Sequence, residues 1–380
     1  MKLRLLFSLL LIATTALAQE PITVNESARF LAGLPVEGAL APLMATPGWQ
    51  EHARALDEAW ANKEALQIAP IRGWMALHGE PYFQSTDTMF YMFAGPDFLY
   101  ANIFFPNART YILAGLEPVG DARALAHLTP EQLTAELTAL RASMNSILRF
   151  QYFITKDMRA DLGPGRILGT LPILYVFLAR LGYEVIAVDP VSSPAEGVKI
   201  TFQAAATDET QPSAPQTLYY FKTDLSGSGS SAFLKWCAAK GPGLSLLKAA
   251  SFLMHGDGFN GVRNFLLENS RVIIQDDSGI PLRAFPKGWN VHCYGRYVPH
   301  NETFAKYHQP DLQAIYERNP TPELGFAFGY HWQKEAGLIM LATPPGTEPA
   351  TQPATEMPPV MRALPVTPEE EQPQEPPVGE

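Results

Sequence analysis

The 380 residues carry 28 basic and 38 acidic side chains, a formal net charge of −10, with 47% hydrophobic residues and two cysteines. A chain of this length can bury a sizeable core as one large domain or two modest ones. Its acidic balance excludes the broad basic patch that nucleic acid or an anionic membrane surface attracts.

The N-terminus has the three parts of a secretory signal. Lys2 and Arg4 make a basic start, residues 5–12 are apolar apart from Ser8, and Ala16-Leu17-Ala18 supplies the small residues that a signal peptidase reads. The apolar stretch falls short of the roughly 20 residues of a membrane span. No Cys follows Ala18 to carry a lipid. The chain is expected to be exported, periplasmic or secreted, with residues 1–18 removed. Loss of Lys2 and Arg4 takes the charge to −12, and the tail from Thr343, with seven Glu and one Arg, accounts for −6 of it. No later segment reads as a membrane span. The apolar run 171–179 lies between Gly169 and Arg180 and reads as a helix buried in protein.

Residues 49–66 have helical periodicity, with Trp49, Ala53, Leu56 and Trp60 on one face. From Thr88 the pattern is strand, turn, short helix, strand. Residues 89–93 and 110–116 are continuous apolar runs suited to the inside of a parallel sheet, and Gly95-Pro96-Asp97 breaks the first. Thr129-Pro130-Glu131-Gln132 is a capping box with Pro at the first helical position. A helix over 169–181 and a short buried strand over 184–188 again suggest a βαβ step. Residues 199–204 alternate strictly and 218–223 resume as strand, the mark of an antiparallel hairpin. Helices are predicted over 232–240, 244–254, 260–268 and 310–318, and strands over 271–274 and 289–297. Residues 325–332 and 338–343 are expected to pair as a terminal hairpin. After Thr343 the chain holds 11 of its 34 prolines, a composition that buries too little apolar surface to order itself. The fold expected is α/β: a mixed, partly parallel sheet with flanking helices and added antiparallel hairpins. It forms a body over 19–342, followed by a disordered Pro/Glu-rich tail over 343–380.

Four fragments carry candidate chemistry. Gly95 and Asp97 follow one strand and Glu117 closes the next, a distant echo of a nucleotide-binding βαβ unit with one glycine where that fingerprint has three. The order has a methyltransferase-like flavour, although an exported chain would meet little of a cytosolic cofactor. The plainer reading makes Asp97 a helix cap and Glu117 the start of a turn. Ser245 and Lys248 match the S-x-x-K of serine acyl-transfer enzymes, but no K-T-G follows. The plainer reading is a solvated helical stripe of Ser245, Lys248 and His255. His255-Gly256-Asp257 reads as a helix C-terminus. The fourth fragment is Gln275-Asp276-Asp277-Ser278-Gly279. Its adjacent carboxylates at a strand end suit acid–base chemistry, and the same residues suit a tight turn. His292 and Tyr294 share a strand face nearby in sequence. Cys237 and Cys293 are a disulfide candidate in an exported chain, or two buried thiols. No ligand pair at metal-binding spacing is present, so no metal is expected, and the sequence points to no cofactor.

Residues 94–120 (AGPDFLYANIFFPNARTYILAGLEPVG), 246–255 (LLKAASFLMH) and 275–281 (QDDSGIP) resemble stretches of an uncharacterised family of exported bacterial proteins. The resemblance covers residues 45–330 and implies a bacterial, exported setting, with no activity to transfer. Two function classes follow. The absence of a complete catalytic motif favours a non-catalytic protein that binds a small molecule or a protein. The alternative is an extracytoplasmic hydrolase using the catalytic set Asp276, Asp277, Ser278 and His255, with Gly95, Asp97 and Glu117 as ligand-binding residues. N-terminal sequencing of protein recovered outside the cytoplasm is expected to begin at Gln19; intact Met1 on that material would refute cleavage.

Overall fold

A computed structural model describes residues 21–79, 88–122, 125, 127–153, 169–205, 214–300, 302–318, 320–331 and 333–347. The expected signal peptide and the tail beyond residue 347 lie outside the described residues. Three helices come first. Helix α1 (Val24–Leu31) is capped by the Thr23 hydroxyl, and α2 (Pro47–Lys63) by the Thr46 hydroxyl with Pro at its first position. After Lys63 the helix widens into a π-turn over Glu64–Ile68 and then continues as α3 (Ala69–Trp74).

The two apolar runs either side of Gly95-Pro96-Asp97 form strands β1 (Thr88–Tyr91) and β2 (Thr110–Gly115), paired in parallel with Thr88 opposite Thr110. Asp97 caps the intervening helix α4 (Phe98–Phe104) by accepting from the Tyr100 amide. Helix α5 (Pro130–Phe150) starts at the predicted capping box, with both reciprocal bonds formed. Helix α6 (Leu171–Arg180) is buried along its length up to Ala179. Next come β3 (Tyr183–Val191), β4 (Gly197–Ala204), β5 (Gln216–Lys222), helix α7 (Ser231–Ala238) and β6 (Gly243–Leu247). The last elements are α8 (Asn260–Asn269), β7 (Ser270–Gln275), β8 (Asn290–Gly295), α9 (Pro310–Arg318) and β9 (Leu338–Thr343).

Among the described residues the strands form one nine-stranded sheet in the order β3-β4-β5-β2-β1-β6-β7-β9-β8. The five central strands, β5 to β7, are parallel. Antiparallel pairs extend both edges. This is the mixed, partly parallel α/β sheet that the sequence indicates. One face of the sheet packs on α1, α2, α4, α5 and α6, and the other on α7 and α8. The chain builds outward from β1 in one direction through β2 and in the other through β6 and β7. The order therefore reverses between β1 and β6, and the crevice at their carboxyl ends is where open α/β sheets place ligands.

Three expectations are corrected. Residues 244–254 are not a helix. Leu244 and Leu246 enter one core and Leu247 the other, so a run apolar on both sides makes the inner strand β6. Strand β3 is not a buried parallel strand but the antiparallel edge beyond β4, with Ile186 47% exposed. The terminal hairpin does not form. Gly325 and Gly329 take positive φ, residues 325–331 are a loop with one isolated bridge, and β9 inserts between β7 and β8 instead. No helix among the described residues is long and apolar enough to cross a membrane.

His52, on α2, is fully buried in the joint with α1. Its Nε2 lies 2.8 Å from the Leu31 carbonyl, and its Nδ1 has no partner among the described residues. Burial lowers its pKa from 6.5 to about 4, against the bond to Leu31 and with the charges of Arg141 and Arg180. The unfolded chain takes up this proton below its own, higher pKa, and the folded chain takes it up only near 4. Stability present above pH 6.5 is therefore lost as the pH falls to about 4. The loss should reach about 3 kcal/mol. Urea melts between pH 7 and pH 4 are expected to show this slope, and His52→Gln should flatten it. An unchanged slope in the variant would place the acid sensitivity elsewhere.

Candidate metal centre

Strand β7 delivers Gln275, Asp276, Asp277 and Ser278 to the carboxyl edge of the sheet, all at 1% exposure or less. Successive side chains at a strand end point to opposite sides, and the two carboxylates find different company. The Oδ1 of Asp276 accepts from the Ser278 amide at 3.2 Å and hydroxyl at 2.5 Å, and its Oδ2 accepts from the Ala249 amide at 3.1 Å. Gly329 lies against the same group: a Cβ there would sit 1.7 Å from Oδ2. Burial, then the charge of Asp277, raises the Asp276 pKa against these donors.

The loop after β6 is shaped around this carboxylate. Ala249, Ser251 and Phe252 all take positive φ, between 51° and 55°, a conformation that non-glycine residues hold only where their surroundings impose it. Besides the Ala249 bond, Ala250 N–H donates to the Ser278 hydroxyl at 2.7 Å and Phe252 N–H to the Ser278 carbonyl at 3.1 Å. The Tyr330 hydroxyl donates to the Ala249 carbonyl and meets the Ser251 hydroxyl at 2.8 Å.

Asp277 faces two histidines. His300 Nε2 is 3.1 Å from Oδ2, and His331 Nε2 is 3.5 Å from Oδ1. The two imidazoles stack with centroids 4.3 Å apart. The three ligand-type atoms lie within 4.8 Å of one another, and His331 Nε2 is buried with no hydrogen-bond partner among the described residues. Burial would raise the Asp277 pKa, but the hydrogen bond from His300 and the charge of His300 and His331 hold it below the usual carboxylate range. A supporting layer fixes the backbone: the Gln309 amide group donates to the Asp277 carbonyl at 2.9 Å, and Phe252, Phe304 and Tyr330 pack around the His300 ring. Two imidazoles and one carboxylate fit zinc or non-haem iron, and three protein ligands leave coordination positions for water or substrate.

The residues singled out from sequence separate here. Asp277 joins the triad, while Asp276 and Ser278 hold the loops that surround it. His255 ends a short 3-10 turn and packs on Phe252 and Tyr307. Burial, then the charge of Arg283, lowers its pKa to about 4, with the Asp277 backbone opposing, and it is not one of the three ligands. His292 is exposed on β8. Asp97 lies in the turn after β1, caps α4, accepts from the Tyr91 hydroxyl at 2.9 Å and pairs with Lys248 at 2.9 Å. Glu117 is buried and accepts from the Tyr220 hydroxyl. Its carboxylate, Gly95 and the Tyr220 hydroxyl crowd within 3 Å of where a Gly115 side chain would begin, so the chain's own groups fill the ground beside Gly95. Ser245 bonds Ser270 inside the sheet at 2.7 Å. It and Lys248 are both buried, not a solvated stripe.

The disulfide candidate is also corrected. Cys237 and Cys293 are free thiols. Cys237 lies on the buried face of α7 with Phe233, in the cluster that contains Phe221, and Cys293 lies on the edge strand β8 in a different apolar cluster. Burial pushes both thiol pKa values up, that of Cys293 to about 11.

His300 and His331 carry no sequence signal of ligation, because each sits in an irregular loop without a second ligand at motif spacing. The nearest hint is Gly329-Tyr330-His331, where a glycine permits close approach. Comparison of the chain with protein-family models, with curated proteins and with solved structures finds no match.

Gly329→Ala tests the packing that positions His331. The added methyl group cannot coexist with the Asp276 carboxylate, and a stability loss of about 2–4 kcal/mol is expected in urea melts. A loss under about 0.5 kcal/mol would show that the loop moves aside freely.

Proposed function

We propose that this chain is an exported protein that binds a divalent transition metal ion through Asp277, His300 and His331 and uses it for hydrolysis. The convergence of these three side chains carries the reading: one carboxylate and two imidazoles from separate loops, with His331 Nε2 buried 3.5 Å from Asp277 Oδ1 and without a hydrogen bond among the described residues. A bare buried imidazole nitrogen is costly, and a metal bond would satisfy it. A Zn2+ ion held by three such ligands keeps a position for water and lowers the pKa of that water to about 7. Asp276 is not the free base of such a reaction, since both of its oxygens already accept bonds.

A second reading keeps the metal without the reaction. The three side chains are at most 8% exposed, which favours an ion that ties the surrounding loops together in a non-catalytic ligand- or partner-binding protein. The two readings share the ligands and differ in turnover.

Chelator-treated mature protein is expected to take up one equivalent of Zn2+ by calorimetry, and Co2+ should give visible bands of a low-coordinate site. His300→Ala and His331→Ala should abolish uptake and Asp277→Asn should weaken it, while His292→Ala leaves it intact. No saturable binding in the parent protein would end both readings. With binding shown, metal-dependent cleavage of ester, phosphoester or peptide probes supports the hydrolase, and its absence across all three favours the structural ion.

A further inference from the structure

Lys63, the last residue of α2, is 3% exposed. Its ammonium lies 5.8 Å from the centroid of the Tyr100 ring, and no carboxylate pairs with it among the described residues. A second ammonium shares the ring: Lys248 Nζ lies 3.8 Å from the same centroid. Lys248 already has its partners, the Asp97 carboxylate and the Gln151 carbonyl. Two lysines thus approach one phenol ring at the reversal point of the sheet, and Asp97 pairs with one of them. The Tyr100 hydroxyl is fully buried and has no hydrogen-bond partner among the described residues.

Both unsatisfied groups are donors. A lysine ammonium carries three N–H groups and no acceptor, and a phenol offers one O–H. A buried donor without a partner carries its full desolvation cost, and a charged one carries more. The remedy for two donors beside surplus positive charge is an acceptor bearing negative charge. Burial, then the Lys248 charge, lowers the Lys63 pKa to about 7 against the pull of Asp97, in keeping with an ammonium that lacks a counter-ion. The backbone adds an independent mark. The helix widens into a π-turn directly after Lys63, a rare insertion that is frequent at functional sites.

We infer that Lys63 and Tyr100, backed by the charge of Lys248, form a binding site for a small oxyanion, a carboxylate or a phosphate. The site shares no residue with the candidate metal ligands and does not rest on the metal reading, so anion binding should persist after chelation.

The test uses mature, chelator-treated protein titrated with inorganic phosphate, acetate or chloride at constant ionic strength, followed by calorimetry and thermal shift. Saturable binding of phosphate or acetate is expected, and the stronger of the two identifies the headgroup. Lys63→Met should abolish it while leaving the ligand-free melting temperature equal or higher, because an unpaired buried charge is removed. Tyr100→Phe keeps the ring and removes the donor, and should weaken binding about tenfold; it carries the test if Lys63→Met fails to fold. The inference is overturned if neither oxyanion binds saturably to the parent protein. Chloride binding as tightly as either oxyanion, or parent-like affinity in the Tyr100→Phe variant, overturns it equally.

Discussion

The Asp276 carboxylate is the point on which the carboxyl edge of this sheet is organised. A buried carboxylate costs several kcal/mol unless its lone pairs are taken up. Here the donors come from two places in the chain, the amide of Ala249 and the amide and hydroxyl of Ser278. A third segment, at Gly329, closes against it. Each of these segments is irregular and would otherwise be free to choose among many conformations. The carboxylate converts them into one arrangement. Strand alternation then assigns the neighbouring carboxylate to the other side, where Asp277 meets the two histidines. The sequence leaves open whether the acidic pair is a turn or a site. Asp276 makes the bond to Ser278 N–H two residues on that defines the turn, and Asp277 lies against His300 and His331.

The same edge contains a second buried charge pair, Asp97 with Lys248. Such pairs seldom add net stability, because desolvation offsets most of their attraction. Their effect is on geometry. Asp97 fixes the first turn of α4 through the Tyr100 amide, and Lys248 reaches the end of α5 through Gln151. The pair therefore locks β1, β6, α4 and α5 at the place where the strand order reverses. A hydrophobic pair of the same volume would fill the space but would not set an ammonium 3.8 Å from the centre of the Tyr100 ring.

Local signals were legible where local chemistry decides. The capping box at Thr129, the Asp97 cap, the start of α9 at Pro310 and the parallel runs β1 and β2 were all readable because their partners lie within a few residues or because both faces of a run are apolar. Legibility failed where tertiary placement decides. Residues 244–247 are apolar in every direction, so periodicity could not separate a buried helix from an inner strand. Residues 325–331 have strand-like composition, but two glycines at positive φ turn them into a loop. The triad was half visible. Asp277 stood out as one of two carboxylates at a strand end. His300 and His331 did not, since metal-binding spacing is a signal only when one helix or one turn presents both ligands. Here three separate segments supply them, and only the sheet order brings those segments together.

The loop over residues 249–252 connects the two charged regions in the most direct way available, through its own backbone. It begins beside Lys248 at the reversal point and ends at Phe252, whose ring packs against His300. Three of its four residues hold a backbone conformation that costs of order 1 kcal/mol or more each for a side chain of any size. Bonds to Asp276, Ser278 and Tyr330 offset that cost. A segment balanced in this way has little slack.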